Sequence, residues 1–418
     1  MDIDTYERNI KAIAGYIRGG ETRGTSGYLG FEVEHFVVNA EDNGPVFYSY
    51  PNSERPGVED ILLTLSPKYD GEMTTTDKEG NVRVIGLEKD SAPVTIEPGA
   101  QLEVSIGPRA SVRELEELYR GFRENVDPVL DSMGYKLMSC GYHPTACARE
   151  IPIIPKHRYA MMNEHFKRTG KHGICMMRAS ASTQVSIDYS SEQDCMDKMR
   201  LATVIGPLLY FLFDNSPIFE GELVGAACAD PDKAVRVSRS GLPVPKRMAR
   251  AAIWNDVDPA RSMAAPFLFR DDDSYEGYAR MLMARPPILT LENANDDTTA
   301  VPHGNLTGAD VFDGKEMTEA DIEHVLSMFF FDVRLKRYIE FRVPDSMPIK
   351  YALSFAALAK GIFYNTKALA ELKTKLSGVR FGQISKAKAD LMRDGYDAMV
   401  YGKPATEWLS EIFDCAAK

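Results

Sequence analysis

Apolar residues recur at helical spacing in several segments of the chain. Residues 4–18 place Tyr6, Ile10, Ile13 and Ile17 on one face. Residues 111–133 begin with Ser111 and carry an acid three positions later, which is the pattern of a capping box. The same reasoning predicts helices over residues 158–169, 191–213, 318–329, 350–374 and 384–398.

Alternating apolar and polar residues predict strands over residues 28–38, 94–106, 180–188 and 332–343. Pro98-Gly99 interrupts the second of these strands, so a bend or bulge is expected there. Helical stretches separate the strands unevenly, and neither G-x-G-x-x-G nor G-x-x-x-x-G-K-[ST] occurs. The pattern therefore favours an α+β fold with a mainly antiparallel sheet backed by helices.

Loop-rich stretches divide the predicted elements but do not divide the chain into domains. They are rich in Gly, Pro, Asp and Asn and cover residues 39–57, 66–93, 222–246 and 291–316. The chemically suggestive motifs lie on both sides of these stretches. We therefore expect one large domain over residues 1–418 with insertions, and a helical C-terminal part from about residue 350 to 418.

Charge and composition exclude several classes of protein. With 49 Lys+Arg and 61 Asp+Glu the net charge is −12, which argues against nucleic acid as the main partner. The best apolar run, residues 201–213, is shorter than a membrane span needs and predicts a buried helix. The acidic start Met1-Asp2-Ile3-Asp4 does not resemble an export signal, so a cytoplasmic location without membrane partners is expected.

Six cysteines stand singly at positions 140, 147, 175, 195, 228 and 415. They form no C-x-x-C pair, which argues against a zinc ribbon or a thioredoxin motif. We expect reduced, buried thiols, with a bridge between Cys140 and Cys147 as the alternative.

Two predicted strands carry acids that share a face. Glu32 and Glu34 are two residues apart on the first strand, so both point the same way, roughly 7 Å apart. Glu97 and Glu103 flank the interruption of the second strand. A solvated sheet face would explain either pair without any function.

The last predicted strand mixes cations with an acid. Arg334, Lys336, Tyr338, Glu340 and Arg342 share one face, which suits an anionic ligand beside a metal, or equally an exposed face with internal ion pairs. Together the strands offer five acids, and carboxylate-rich, His-poor clusters select Mg²⁺ or Mn²⁺ over zinc. Such cations with Arg and Lys suit phosphoryl transfer from a nucleotide.

An ordered series of motifs resembles the plant and proteobacterial type of glutamate–cysteine ligase, within the glutamine synthetase-like carboxylate–amine ligase fold. The series covers about residues 28–345 and leaves the remaining residues without a recognised motif. It consists of Glu32-x-Glu34-x-Phe36, Glu97-Pro98-Gly99-x-Gln101-x-Glu103, Gly141-x-x-Pro144, Pro155-Lys156-x-Arg158-Tyr159, Met176-Met177, Gln184-Val185-x-Ile187-Asp188, Asn215-Ser216-Pro217, Arg250-x-x-Ile253-Trp254, Asp258-x-x-Arg261 and Tyr338-Ile339-Glu340-x-Arg342.

The resemblance implies an ATP-dependent ligase that forms γ-glutamyl phosphate and then joins it to the amino group of cysteine, as in glutathione-type thiol synthesis. It implies two or three Mg²⁺ ions, with Mn²⁺ as an alternative, held by Glu32, Glu34, Glu97, Glu103 and Glu340. Arg342, Lys156 and Arg158 would act on the nucleotide or the acyl phosphate, with Lys156 and Arg342 binding the nucleotide. Substrate contacts would come from Tyr159, Gln184, Ser186, Asp188, Arg250 and Arg261.

Other interpretations of these residues stay open. The strand residues 184–188 also suit a half-buried polar edge, and Arg250 and Arg261 also suit the surface. Met161, Met162, Met176 and Met177 are expected in the core, and no histidine has the spacing of a metal ligand.

The sequence departs from the family pattern near the expected acceptor. Ser186 stands where the family usually has Asn, Ser180-Ala181-Ser182 precedes Gln184, and Val343-Pro344-Asp345 follows Arg342. The expected partners are glutamate, cysteine and ATP, in a monomer or a homodimer. A ligase for a different amine, a non-catalytic relative that binds glutamate or nucleotide, and a guanido kinase are the alternatives.

Overall fold

The computed structural model describes residues 2–22, 27–51, 53–226, 236–270, 272–293 and 296–418. Cys228 and part of the predicted loops 39–57, 222–246 and 291–316 lie outside the described residues. Within them, no helix is long and apolar enough to cross a membrane.

Helices account for much of the described chain. In chain order they are α1 (Ile3–Arg18), α2 (Val58–Leu65), α3 (Val112–Ser132), α4 (His157–Thr169), α5 (Gly173–Ala179), α6 (Glu192–Leu212), α7 (Ala249–Trp254), α8 (Tyr275–Met283), α9 (Gly308–Val311), α10 (Glu319–Ser327), α11 (Ile349–Phe363), α12 (Thr366–Leu376), α13 (Phe381–Asp394) and α14 (Ala405–Ala416). Short 3₁₀ turns cover Ser66–Lys68, Ala148–Glu150, Pro266–Phe269, Asp297–Thr299 and Gly395–Asp397.

The strands form one large sheet and four small pairs. In chain order they are β1 (Leu29–Asn39), β2 (Gly71–Thr76), β3 (Val82–Glu88), β4 (Val94–Ile96), β5 (Leu102–Arg109), β6 (Tyr135–Met138), β7 (Thr183–Ile187), β8 (Ile218–Phe219), β9 (Glu222–Leu223), β10 (Ser262–Met263), β11 (Leu289–Leu291), β12 (Ala300–Pro302), β13 (Phe330–Phe331), β14 (Val333–Leu335), β15 (Ile339–Phe341), β16 (Met399–Val400) and β17 (Lys403–Pro404).

The large sheet runs in the order β14-β15-β7-β1-β5-β4-β3-β2, with β6 paired to the far end of β1. All of its pairings are antiparallel. The predicted α+β class with a mainly antiparallel sheet is therefore confirmed.

One face of this sheet is apolar and packs on helices. Phe31 and Val33 of β1 are buried on it, and Phe341 of β15 contacts the rings of Phe355 and Phe363 from α11. The opposite face carries Glu340 and the glutamates of β1. Alternation along the strands thus separates a core side from a polar side of the sheet.

Helix starts follow the predicted chemistry. Ser111 Oγ accepts from the backbone N–H of Glu114, whose carboxylate accepts from the N–H of Ser111, as a capping box requires. Ser191 Oγ accepts from the N–H of Asp194 in the same way. The apolar run 201–213 lies within and just after α6, most of it buried, as predicted.

Four expectations were wrong because turns were missed. Residues 94–106 and 332–343 are not single strands but hairpins, β4-β5 and β14-β15. Residues 66–93 are not a loop, since they hold the hairpin β2-β3. The predicted helix 350–374 is two helices, α11 and α12, because Asn365 caps a new start by accepting from two backbone N–H groups.

The described cysteines, at positions 140, 147, 175, 195 and 415, are buried free thiols. The alternative bridge between Cys140 and Cys147 is therefore absent, as the composition indicated.

Candidate active site

The polar face of the sheet opens into a cavity of about 250 Å³ that all five predicted acids line. Glu32 and Glu34 come from β1, Glu103 from β5, Glu97 from the turn after β4, and Glu340 from β15. Glu34 and Glu103 are direct partners across the β1-β5 pair. The structure thus brings together acids that are as much as 308 positions apart in the chain.

The turn that presents Glu97 is fixed by its own hydrogen bonds. The N–H of Glu97 donates to the carbonyl of Gln101 at 2.9 Å, and the N–H of Ala100 returns to the carbonyl of Glu97 at 2.8 Å. The side chain of Gln101 accepts from the N–H of Gly99 and donates to the carbonyl of Ser180. A Cβ at Gly99 would lie 2.1 Å from the carbonyl oxygen of Arg178, so only glycine fits this close approach.

Three of the acids carry raised pKa values. Burial, together with Glu340, raises the pKa of Glu32 to about 7. Burial, together with Glu34, raises the pKa of Glu97 to about 7. The pKa of Glu103 is raised well above its ordinary value by burial and then by Glu32, Glu97 and Glu34. The cluster therefore holds more negative charge than its setting supports without protons or cations.

Glu340 differs from the other acids because arginines surround it. Arg334 Nη2 donates to Oε1 at 2.9 Å, Arg334 Nε lies 2.7 Å from Oε2, and Arg342 Nη1 donates to Oε2 at 3.0 Å. Burial alone would raise the pKa of Glu340, but Arg334, Arg342 and Lys336 together hold it below its ordinary value. This carboxylate is ionised and held in place.

Glu34 is anchored by neutral donors instead. Its carboxylate accepts from the backbone N–H and Oγ of Ser182, both at 2.7 Å, and from Nε2 of Gln184 at 3.0 Å. Gln184 in turn accepts from Arg342 Nη1 at 2.6 Å. A continuous chain of hydrogen bonds therefore joins Glu34, Gln184, Arg342 and Glu340 along the floor of the cavity.

The divalent cations that the resemblance implies need several oxygen donors within reach of one another. Five carboxylates in one cavity, three of them with raised pKa values, are the oxygen donors that Mg²⁺ prefers. Within the described residues, however, no group of three Asp, Glu, His or Cys side chains is already arranged to hold a metal ion. The donor types fit a hard cation, while their present side-chain positions do not form a preassembled three-ligand site.

The predicted cations near α4 divide between the cavity and its border. Arg158 and Tyr159 line the cavity. The Lys156 ammonium lies 5.1 Å from the ring centroid of Tyr159, and its charge acts to lower the pKa of Glu97. Arg158 also lines a larger neighbouring cavity of about 790 Å³, which shares Lys336 with the first.

Of the predicted substrate residues on and directly after β7, Gln184 alone lines the central cavity. Ser186 and Asp188 line an adjoining cavity of about 540 Å³ that shares Glu32. Asp188 accepts a hydrogen bond from the hydroxyl of Tyr364, which ties it to the C-terminal helices. Gln184 therefore faces the central cavity and the other two residues face its neighbour, so the substrate role of the three stays a prediction.

The two predicted arginines have protein partners. Arg250 lines the cavity, yet its guanidinium donates to the backbone carbonyls of Arg342 and Val343, both at 3.1 Å. Arg261 is not among the described residues that line the cavity. It is buried against Asp258 and the carbonyl of Pro286, so the surface alternative is wrong and these partners indicate a structural ion pair.

Sequence reasoning missed one wall of the cavity. The sequence alone places Arg334 on the face of Glu340 without indicating a role for it, and it predicts the methionines only in the core. Met162, Met176, Met177, Trp254 and Phe330 are mostly buried and line the cavity together. The indole N–H of Trp254 has no hydrogen-bond acceptor within the described part of the chain. The Met176-Met177 and Ile253-Trp254 motifs were the available signals.

Known proteins resemble this chain in sequence and in fold. The model of the glutamate–cysteine ligase family 2 matches residues 28–415, so the match includes the C-terminal helices that showed no recognised motif. Glutamate–cysteine ligase B, chloroplastic, of Oryza sativa subsp. japonica is 28% identical over 355 residues, 84% of this chain and 65% of that protein. The chloroplastic enzyme of Arabidopsis thaliana is 26% identical over 344 residues, 82% and 60% of the two chains. The chain thus spans slightly less than two thirds of the length of these relatives.

A solved structure shares the fold. Glutamate–cysteine ligase of Francisella tularensis in complex with AMP superposes with a TM-score of 0.51 over 93% of this chain and 77% of that chain. The sequence identity is 14%, so this likeness shows the fold alone.

Proposed function

The chain belongs to the glutamate–cysteine ligase family 2, and from that premise we propose that it is an ATP-dependent ligase. It joins the γ-carboxylate of glutamate to the amino group of cysteine through γ-glutamyl phosphate. The observation that carries this proposal is the single cavity in which five carboxylates meet Arg158, Lys336 and Arg342. The solved relative bound to AMP supports nucleotide as a substrate.

The acids hold the cations that accompany the nucleotide. Glu32, Glu34, Glu97 and Glu103 would bind Mg²⁺, with Glu340 beside them, and the ions would neutralise charge on the nucleotide phosphates. The raised pKa values of Glu32, Glu97 and Glu103 mean that these three acids gain most from a cation when their protons have left.

Cationic side chains complete the phosphoryl-transfer centre. Arg158, Lys336 and Arg342 face the same cavity as the acids and offset the charge that develops on the transferred group. Arg342 Nη1 donates to Gln184 and Glu340, which fixes the guanidinium. Nη2 is then available to bind an oxyanion. The buried setting of the cavity strengthens each of these contacts.

The apolar wall suits the acceptor. The amino group and both carboxylates of glutamate are charged. Among the amino-acid substrates, only the acceptor therefore has an uncharged side chain that could pack against the apolar wall, which consists of Met162, Met176, Met177, Trp254 and Phe330. Methionine and aromatic surfaces are polarisable and accept a thiol well. The indole N–H of Trp254 would find its missing acceptor in a substrate oxygen.

The test is phosphate release from ATP with glutamate and a panel of amines. Cysteine, 2-aminobutyrate, alanine and serine vary the acceptor side chain from thiol to methyl to hydroxyl. We expect the highest kcat/KM with cysteine, 2-aminobutyrate next, and serine well below because its hydroxyl would lie against the apolar wall. If another amine is preferred, the protein is still a ligase but its acceptor is not cysteine. If phosphate is released with none of the amines, the proposal is contradicted.

We further propose that residues 1–418 work as one catalytic domain in the cytoplasm and serve glutathione-type thiol synthesis. One apolar core extends from Ile10 to Cys415, which supports a single domain. The plant relatives are named as chloroplastic, which differs from the location proposed here, and cell fractionation tests the location directly. Light scattering after size exclusion separates the monomer from the homodimer.

A further inference from the structure

Helix α13 carries a buried lysine, Lys388, whose side chain points toward the candidate active site. Lys388 is 4% exposed, although lysine is normally a surface residue. Its ammonium lies 3.6 Å from Asp332 Oδ2 and 4.0 Å from the ring centroid of Tyr210 on α6. None of these groups takes part in the chemistry proposed above.

Asp332 connects this buried ion pair to Arg342. Its carboxylate accepts from the hydroxyl of Tyr210 at 2.8 Å. Its backbone carbonyl accepts from the N–H of Arg342 at 3.0 Å, and its own N–H donates to the carbonyl of Met263 at 2.8 Å. The residue therefore sits between two helices on one side and the hairpin β14-β15 on the other.

Stability alone does not account for this arrangement. Burial lowers the pKa of Lys388, and the charge of Arg250 acts in the same direction, while Asp332 opposes both. A buried ion pair pays for its desolvation, and an apolar pair of similar volume is often at least as stable. What the buried pair supplies instead is position, because a buried charge that loses its partner is costly, so Lys388 and Asp332 stay together.

We propose that Lys388 is a positioning residue, which with Asp332 and Tyr210 fixes the backbone that holds Arg342 in the phosphoryl-transfer centre. The C-terminal helices thereby complete the active site. This inference rests on the proposed function for its effect on turnover, while its structural part stands independently. A misplacement of about 1 Å can cost roughly 10²-fold in rate, so a small shift of Arg342 is enough to matter.

The central test compares Lys388→Met with the double variant Lys388→Met/Asp332→Asn. The single variant leaves a buried carboxylate without its cation, and we expect kcat to fall at least tenfold. The double variant removes both charges and keeps an oxygen for the Tyr210 hydroxyl, so kcat should return to within about threefold of wild type. Lys386→Met is the matched control, because the Lys386 side chain on the same helix is 72% exposed and pairs with Asp390.

Hydrogen exchange of the Arg342 amide is the readout that does not depend on activity. Its exchange should accelerate in Lys388→Met, recover in the double variant and stay unchanged in Lys386→Met. If wild type releases no phosphate, the proposed function fails, and the exchange rates still decide the positioning role.

Two results would overturn the inference. One is unchanged exchange at Arg342 in Lys388→Met, whatever happens to kcat. The other is equal loss in the single and double variants, which would mean that the lysine only fills space. If Lys388→Met does not fold, Tyr210→Phe removes one hydrogen bond to Asp332 at nearly constant volume, and exchange at Arg342 must then rise.

Discussion

Replacing Arg342 by lysine separates the charge of this residue from its geometry. Arg342 Nη1 donates to Gln184 Oε1 at 2.6 Å and to Glu340 Oε2 at 3.0 Å. Nη2 donates to no acceptor within the described part of the chain, so it is available to a substrate oxyanion. Lysine has one nitrogen, and if that nitrogen keeps the two protein acceptors it has little left to offer the substrate.

The expected loss follows from one charge-assisted hydrogen bond. Such a bond contributes about 1.5–3 kcal/mol, and lysine keeps the charge and therefore part of the interaction. At about 1.4 kcal/mol for each factor of ten, Arg342→Lys should lower kcat/KM by at least about tenfold. Most of the loss should appear in kcat, because charge on the transferred group develops in the transition state.

Steady-state phosphate release, with ATP and glutamate each varied, measures this effect. Arg113→Lys is the control, since the Arg113 side chain is 85% exposed and pairs with Glu117 on the surface of α3. That control should stay within about twofold, as exposed ion pairs contribute little. Activity of Arg342→Lys within about threefold of wild type would refute the role assigned to Nη2. A changed preference among amines would show that Arg342 also contacts the acceptor.

Three further predictions address the acids and their support. Glu34→Gln should lower kcat by about 10²–10³ in a folded protein, and retention of activity within about threefold would remove Glu34 from the site. Because the folded pKa values of Glu32 and Glu97 are about 7 against an ordinary 4.5, the metal-free protein should lose stability as pH rises from about 4.5 to 7. Mg²⁺ should then raise Tm more at pH 8 than at pH 5.5, and an equal rise at both pH values would argue against these ligands. Gly99→Ala should cost about 1–3 kcal/mol in urea unfolding because its Cβ would overlap a carbonyl oxygen, whereas Gly121→Ala meets no atom within 4 Å and should be neutral or stabilising.

The sequence by itself determined which side chains share a face. Alternation over residues 28–38 put Glu32 and Glu34 opposite Phe31 and Val33, and the sheet has them so. Helix starts at Ser111 and Ser191 were equally readable, because capping depends on residues three positions apart. Both signals are local, so neither needs knowledge of the rest of the chain.

Only the tertiary structure decided what lies opposite each face. Arg334 and Glu340 look like neighbours along one strand, but the hairpin makes them direct partners across β14-β15. Arg261 donates to the carbonyl of Pro286 away from the cavity, and Lys388 reaches Asp332 from a helix that the motifs did not cover. These pairings depend on turns and on long-range packing, in which a residue's partner is chosen by the fold and not by its spacing in the sequence.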